Sequence, residues 1–372
     1  MKHLVLIGGG HAHALVLKRW AKAPLANVRL TLVDPVLKPS YTGMLPGYVA
    51  GHYTRAQLDI DLPALAKAAG GTLITAAANR IDADRRRIGF DGHPQLTFDV
   101  ASIDIGAHNR MPTRHEAPSI DSVPLKPLAA FATAWDGYVE RVRAAPTDRV
   151  QSIVIVGGGV GGIEIAFAMT HRLTALGALA PAVSILDASK TPLAGLHPRQ
   201  RRHLIRKLTA AGIEYLPGRR VHRIENRTVF VEDGTTYAAD FIVSAVGAQA
   251  HPWLAECGLP TTHGFLNVDR FLRCGGEGSP VFAAGDCAHM IENSREKAGV
   301  FAVRQAPVLH NNLRAALGHG ALAAFEPQRD YLKIVSLGRK SATALKFGHA
   351  VSSGLLWTLK DQIDRRFMDA LR

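Results

Sequence analysis

Two stretches of the chain join a run of apolar residues to a cluster of glycines. They are Leu4-Val5-Leu6-Ile7-Gly8-Gly9-Gly10 and Ile153-Val154-Ile155-Val156-Gly157-Gly158-Gly159-Val160-Gly161-Gly162. Each reads as a strand, a tight turn and the start of a helix. In such a unit the first glycine permits the turn and the second lets the backbone approach a pyrophosphate. The helix that follows turns its free N–H groups and the positive end of its dipole toward that anion. Each unit continues into a second apolar strand that ends in an acid, Leu30-Thr31-Leu32-Val33-Asp34 and Val183-Ser184-Ile185-Leu186-Asp187. A carboxylate at that place accepts hydrogen bonds from an adenosine ribose. Two units in one chain imply two bound dinucleotides, and two dinucleotides imply electron transfer between them.

The copies differ. Gly157, Gly159 and Gly162 stand at G-x-G-x-x-G spacing, and Asp187 closes the unit. An acid there repels a 2′-phosphate, so NADH is expected in preference to NADPH. Arg199, Arg201 and Arg202 lie downstream and weaken that preference, because an arginine accommodates the phosphate. In the first unit Gly8 and Gly10 fit, but His13 stands where the third glycine belongs. That glycine serves helix–strand packing, so the departure bears on packing more than on phosphate contact.

The elements that must position these turns alternate as strand and helix up to about residue 70. A strand pair is expected around residues 73–77 and 87–90. The run Phe98 to Ala107 reads as a buried strand ending in a small-residue turn, and Asp240 to Ala248, with Gly247 in its turn, echoes it. The duplication therefore extends beyond the glycines. Asn109 to Pro127 is rich in proline and polar residues and reads as a crossing between domains. Ser279 to Ala288 is a strand ending in Gly285-Asp286, and a helix is expected from about Gly299 to Leu317. The tail carries Leu356, Leu359, Ile363, Phe367 and Leu371 at helical spacing. It reads as a helix docked on the core or a dimer partner, with a membrane surface as the other option.

With 372 residues and 47% hydrophobic content there is ample chain for a globular core. No apolar run reaches the roughly 18–20 residues of a spanning helix. The chain enters its first glycine turn at residue 8, so a signal peptide is not expected. Cys257, Cys274 and Cys287 make no disulfide framework, and a reducing, cytoplasmic setting is the expectation. The formal charge of +13 comes from scattered basic residues with no zinc-finger spacing or RNA-binding aromatic motif, so nucleic acid is not expected as a partner. No metal site is expected.

These segments together resemble the two-dinucleotide-binding flavoprotein superfamily, the pyridine nucleotide-disulfide reductase fold, over nearly the whole chain. The resemblance implies an α/β fold of two Rossmann-like domains, with the NADH domain inserted in the FAD domain. Residues 1–112 and 249–318 would form the FAD domain, 113–248 the NAD(P)H domain, and 319–372 an interface or membrane-associating region. Gly8, Gly9, Gly10, Asp34, Gly285 and Asp286 would hold FAD, with Asp286 on the ribityl chain. Gly299 and Val300 would begin a helix aimed at the flavin. Gly157, Gly159, Gly162, Asp187 and Gly247 would hold NADH, and Glu164 would position the nicotinamide.

Within that superfamily the decisive feature is an absence. No Cys-x-x-Cys or Cys-x4-Cys pair is present, so electrons are expected to pass straight from flavin to acceptor. That points to the type II NADH dehydrogenase-like branch and a quinone-like acceptor. Gln305 lies where that branch has its quinone segment, without the usual repeat. Residues 39–47 resemble a narrower subgroup, the one sometimes fused to selenophosphate synthase. Met44, Leu45, Pro46 and Arg304 would wall the acceptor site, and Lys297 and Arg304 would steady its developing charge. Peripheral contact with the cytoplasmic face of a membrane and a homodimer are further expectations. The competing functions are reduction of a ferredoxin-like protein partner and a flavoprotein redox sensor.

Overall fold

The computed structural model describes residues 1–112, 121–144, 150–177, 181–328 and 330–372. Both glycine units are central strands of five-stranded parallel sheets. The first sheet runs Val281–Ala283, Val100–Ile103, Lys2–Ile7, Val28–Val33, Thr72–Ile74. The second runs Ile213–Pro217, Ala182–Asp187, Ser152–Val156, Phe241–Ser244, Ser122–Pro124. Both carry nearly continuous apolar runs at their centres, as strands covered on both faces must. Leu4, Val5 and Leu6 are fully buried, and Ile153 and Ile155 nearly so.

A three-stranded antiparallel meander interrupts each sheet along the chain, ahead of the strand that returns beside the central one. One comprises Ala78–Asp82, Arg87–Phe90 and Leu96–Thr97, the other Val221–Glu225, Thr228–Val231 and Thr236–Ala238. The sheets interleave in the chain. The first receives its edge strand Val281–Ala283 only after the second is complete. The outgoing and returning segments, His108–Asn109 and Ala248–Gln249, pair antiparallel.

Three local expectations need correction. Residues 72–74 belong to the parallel sheet, and the partner of Arg87–Phe90 is Ala78–Asp82. Part of the expected crossing is a strand: Ser122–Pro124 pairs with Ile242–Ser244. It is short, lies at an edge and ends in proline, all of which hide a strand from pattern reading. Residues 113–120 of that crossing lie outside the described residues. Finally, the tail has an antiparallel sheet of Lys333–Ser336, Ala342–Lys346 and His349–Ser353 before its helix, Gly354–Leu371.

That last helix does not present the expected single apolar face. Phe367, Met368 and Leu371 face inward, while Leu355, Leu359 and Ile363 are exposed. Its inner face is partly polar and carries Lys360, Asp361 and Asp364 to the Tyr41–Tyr53 region.

The glycine turns close by the same contacts. Gly8 has φ +91° and Gly157 φ +113°, both in the left-handed region. A Cβ on Gly8 would lie 2.4 Å from the Asp104 carbonyl oxygen, and one on Gly157 would lie 2.8 Å from the Ala245 carbonyl. At the third position the copies part. A Cβ on Gly162 would lie 2.2 Å from the Gly157 carbonyl oxygen. His13 instead is fully buried and fills that space with its ring. Its Nδ1 donates to the Gly8 carbonyl (2.6 Å), which leaves Nε2 to accept from Ser102 Oγ (2.8 Å). Gly162→Ala should therefore cost more than about 2 kcal/mol, because backbone must move. Denaturant unfolding checks this, and a change within about 0.5 kcal/mol would contradict the packing described.

Candidate functional site

A cavity of about 410 Å³ opens at the first turn. Gly8, Gly9, Gly10, Asp34, Gly285, Asp286 and Gly299 all line it, while Val300 is the next residue along the helix and does not. The cavity extends from Asp34 and residues 76–78, past the turn, to Thr42, Gly299 and Ala302. An elongated site with backbone amides at its middle and an acid at one end fits a dinucleotide. Asp34 is fixed by the backbone: Oδ2 accepts from Gly9 N (2.6 Å) and Oδ1 from Val36 N (2.7 Å). Burial raises its pKa, and those two amides oppose the rise.

Several cavity residues had no signal in the sequence. Lys126 Nζ pairs with Asp286 Oδ2 at 2.8 Å. Asp104 follows the strand Val100–Ile103 and is 2% exposed. His11 lines the cavity with its ring 5.1 Å from Tyr41, which stacks on Phe367 at 4.3 Å. Burial lowers the pKa of both His11 and His13 to about 4, so both rings are neutral. These residues meet only through long-range packing, so neither motif nor spacing exposes them.

The residues expected at the acceptor end are placed as follows. Gln305 is buried, and its Oε1 accepts from Gly285 N (2.8 Å), so it braces the Gly-Asp turn. Lys297 Nζ donates to the Ala288 carbonyl and lies 4.1 Å from the Phe265 ring centre. It faces a small neighbouring cavity of about 30 Å³ rather than the large one. Arg304 is half-buried, and its Nη1 has no partner among the described residues. Met44, Leu45 and Pro46 are buried and line none of the cavity, because the helix Leu45–Val49 packs on Val160–Ala175.

Glu164 is half-buried on Val160–Ala175, and its Oε1 accepts from Ser336 N (2.8 Å). Burial raises its pKa, opposed chiefly by the charge of Lys360. Lys360 in turn donates to Asp364 Oδ2 and to the Gly43 carbonyl, both at 2.6 Å, and Tyr41 Oη donates to Asp364 Oδ1 (3.1 Å). The C-terminal helix thus ties Glu164's surroundings to the loop at Tyr41–Gly43.

At the second turn Asp187 is held differently from Asp34. Its Oδ2 accepts from Tyr215 Oη (2.5 Å) and its Oδ1 from Ser189 N (3.1 Å), and Tyr215 Oη also reaches the Gly158 carbonyl (3.0 Å). Gly159 caps the helix, and Gly247 is exposed in the turn beside Gly157. Arg199, Arg201 and Arg202 lie on Pro198–Ala210, which packs on Ile213–Pro217 and His349–Ser353, and none of them bonds Asp187.

The three cysteines are buried free thiols, and none lines the cavity at the first turn; Cys257 lines a separate cavity of about 770 Å³. Burial raises the pKa of each, that of Cys287 to about 12, so all are protonated at neutral pH. Among the described residues no cluster of His, Cys, Asp or Glu could hold a metal ion.

Two parallel sheets, each with a glycine turn and an acid on the next strand, define a protein with two dinucleotide sites. The chain belongs to the pyridine nucleotide-disulphide oxidoreductase family, whose pattern matches residues 2–307. Members use FAD with a pyridine nucleotide, and the two sites suit that pair. A similar curated protein is an NADH dehydrogenase-like protein of Mycobacterium tuberculosis, 28% identical over 237 residues, or 59% of this chain. The match spans 56% of that relative's length. Among solved structures, the sulfide:quinone oxidoreductase of Aquifex aeolicus superposes with a TM-score of 0.82 at 16% identity, over 100% of this chain and 92% of that one. NDH2 of Plasmodium falciparum in complex with NADH gives 0.79 at 13%, over 99% and 96%. Putidaredoxin reductase, in covalent complex with putidaredoxin, gives 0.74 at 18%, over 99% and 93%. At these identities the likeness is one of fold.

The neutral buried histidines set a pH dependence. An unfolded histidine takes up a proton near pH 6.5, whereas His11 and His13 resist it down to about 4. Their contribution to stability is full above about pH 7 and is lost as pH falls from there toward 4. Asp104, whose pKa burial raises to about 7, works in the opposite direction, so the ring's contribution is read as a difference between variants. The stability lost between about pH 7.5 and 5 should be smaller in the His11→Gln apoprotein than in wild type, and an unchanged pH dependence would contradict the neutral ring.

Proposed function

We propose that this chain takes a hydride from NADH onto FAD and passes two electrons directly to a quinone-like acceptor. The observation that carries this reading is the elongated cavity at the first turn, lined by no thiol, in a chain with a second intact turn. Bound flavin supplies hydride acceptance and two-electron delivery, and the protein supplies placement and exclusion of water.

The residues then take these roles. The His11 amide at the first turn, where Asp104 takes the next two, and the amides after Gly159 at the second hold the two pyrophosphates, and Asp34 and Asp187 accept from the two riboses. Tyr215 holds the Asp187 carboxylate in place, which favours NADH over NADPH. Asp286 holds the ribityl chain, steadied by Lys126. The helix Gly299–Ala316 starts at the cavity, and its dipole favours negative charge there. Gln305 and Lys297 act by bracing the segment from Gly285 to Ala288. Glu164 is a positioning residue at the nicotinamide side, its carboxyl pushed up by burial against the opposing charge of Lys360.

The acceptor reading has support at the surface. No helix among the described residues is long and apolar enough to cross a membrane. Leu355 (82% exposed), Leu359 and Ile363 form an outward stripe, beside exposed Phe347 and Val351 of the hairpin. Arg339, Lys340 and Lys346 are exposed around it. An apolar stripe with a basic rim suits an anionic membrane surface, where quinones reside. A ferredoxin-like protein partner is the second reading, favoured by the +13 charge.

An anaerobic acceptor screen separates the two. Enzyme bleached by NADH should be reoxidised by a quinone, faster when the quinone is carried in anionic vesicles than in zwitterionic ones. Leu359→Asp should remove that advantage while soluble quinone still works. Fast reoxidation by a small acidic iron–sulfur protein alone, suppressed by salt, would favour the second reading. Asp187→Ala should raise KM for NADH by about tenfold or more with a smaller effect on kcat. An unchanged KM would remove the ribose assignment.

A further inference from the structure

The first turn contains a carboxyl that the second lacks. Asp104 and Ala245 occupy equivalent places: Asp104 N donates to the Ile7 carbonyl and Ala245 N to the Val156 carbonyl, both at 2.8 Å. Asp104 Oδ2 accepts from Ala12 N (2.9 Å) and His13 N (3.1 Å). It thereby occupies two of the free amides of the helix His11–Lys22, the groups that would otherwise face a pyrophosphate. Ala245 offers no such group, and among the described residues no side chain outside the helix takes the first amides of Val160–Ala175 as Asp104 takes those of the first helix. The Asp104 carboxyl is wedged between the two loops that line the cavity. A Cβ on Gly10 would lie 2.3 Å from its Cγ, and one on Gly285 would lie 2.4 Å from its Oδ1.

We propose that Asp104 binds a proton when FAD enters, so that cofactor affinity is linked to the protonation of this one carboxyl. The proposal rests on the reading that the first cavity holds FAD. An ionised Asp104 would set a third negative charge beside those of Asp34 and Asp286, facing a pyrophosphate at a helix end whose dipole it already offsets. The charged and titratable groups around it do not relieve that conflict. His11 and His13 on the helix are neutral, and His13 is committed to Gly8 and Ser102. Lys126 is paired with Asp286. Cys287 is a protonated thiol, and Gln305 on the packed helix carries no charge. The proton is the remaining way to neutralise the acid.

The titration of the free protein agrees in sign. Burial raises the pKa of Asp104 to about 7, against the pull of the His13 and Ala12 amides and with added push from Asp286 and Asp34. The pyrophosphate adds negative charge and moves it further up. FAD affinity is then greatest below pH 7 and falls as pH rises above it, by at most about tenfold per unit.

The test uses apoprotein and FAD alone, with binding as the readout. Flavin fluorescence gives Kd across roughly pH 6 to 9, and calorimetry in buffers of different ionisation enthalpy counts protons at about pH 8. Wild type should take up nearly one proton there, and its Kd should weaken severalfold to tenfold between about pH 7.5 and 8.5. Asp104→Asn should bind FAD with no such uptake and a flat Kd. In wild type itself, FAD binding at pH 8 should bring up the infrared carbonyl band of a protonated carboxylic acid, a readout that needs no variant. A Kd independent of pH, uptake that survives in Asp104→Asn, or no acid carbonyl band, would overturn the proposal. Failure to bind FAD at any pH would instead defeat the cofactor reading beneath it.

Discussion

The structure depends on one close approach, made twice. A glycine at the end of a central strand turns in the left-handed region and presses its backbone against the end of the neighbouring strand. Gly8 does so against Asp104 and Ile105, Gly157 against Ala245 and Val246. No side chain fits in either gap. Because the gap closes, each following helix starts at the strand's carboxyl end with its free amides facing outward. The parallel order of both sheets, the acids at Asp34 and Asp187, and the return of the chain to Val281–Ala283 all serve that geometry.

The two copies then diverge in chemistry. In the first, His13 replaces a packing glycine and bonds across to Ser102, while Asp104 takes two helix amides. Asp34 is fixed by backbone amides alone. In the second, Gly162 packs directly on the turn, no carboxyl among the described residues caps the helix, and a tyrosine holds the acid. The first turn thus has buried polar groups, His13, Asp34 and Asp104, packed beneath it. The second has free helix amides and an acid on a hydroxyl tether, as suits a ligand that comes and goes.

Much of this was legible in the sequence because it is local. The turns, the two acids, the strand ending at Gly285-Asp286 and the helix from Gly299 are each written in a few consecutive residues. The echo between residues 98–107 and 240–248 is also local, and it reappears as equivalent central-sheet neighbours. What escaped is what only tertiary packing brings together. Lys126 meets Asp286 from 160 positions away in the chain, and Tyr41 meets Asp364 from 323 away. Tyr215 in mid-strand and Asp104 at a strand end look ordinary until the fold sets them beside the turns. Gln305 and Lys297 were legible as polar residues on the right segment, but not as braces for it. The tail's apolar spacing was read as one face, whereas the structure turns Phe367 and Leu371 inward and Leu359 and Ile363 outward.

The family's name records a disulphide chemistry, and this chain has no Cys-x-x-Cys or Cys-x4-Cys pair. Its three cysteines are buried and protonated, and none lines the cavity at the first turn. On the function proposed above, flavin carries the electrons alone and the chain should store a single electron pair. An anaerobic reductive titration of the FAD-loaded protein counts that store directly. The account predicts full bleaching at two electrons per chain, with no further uptake. Uptake of four electrons per chain would reveal a second redox centre and contradict it.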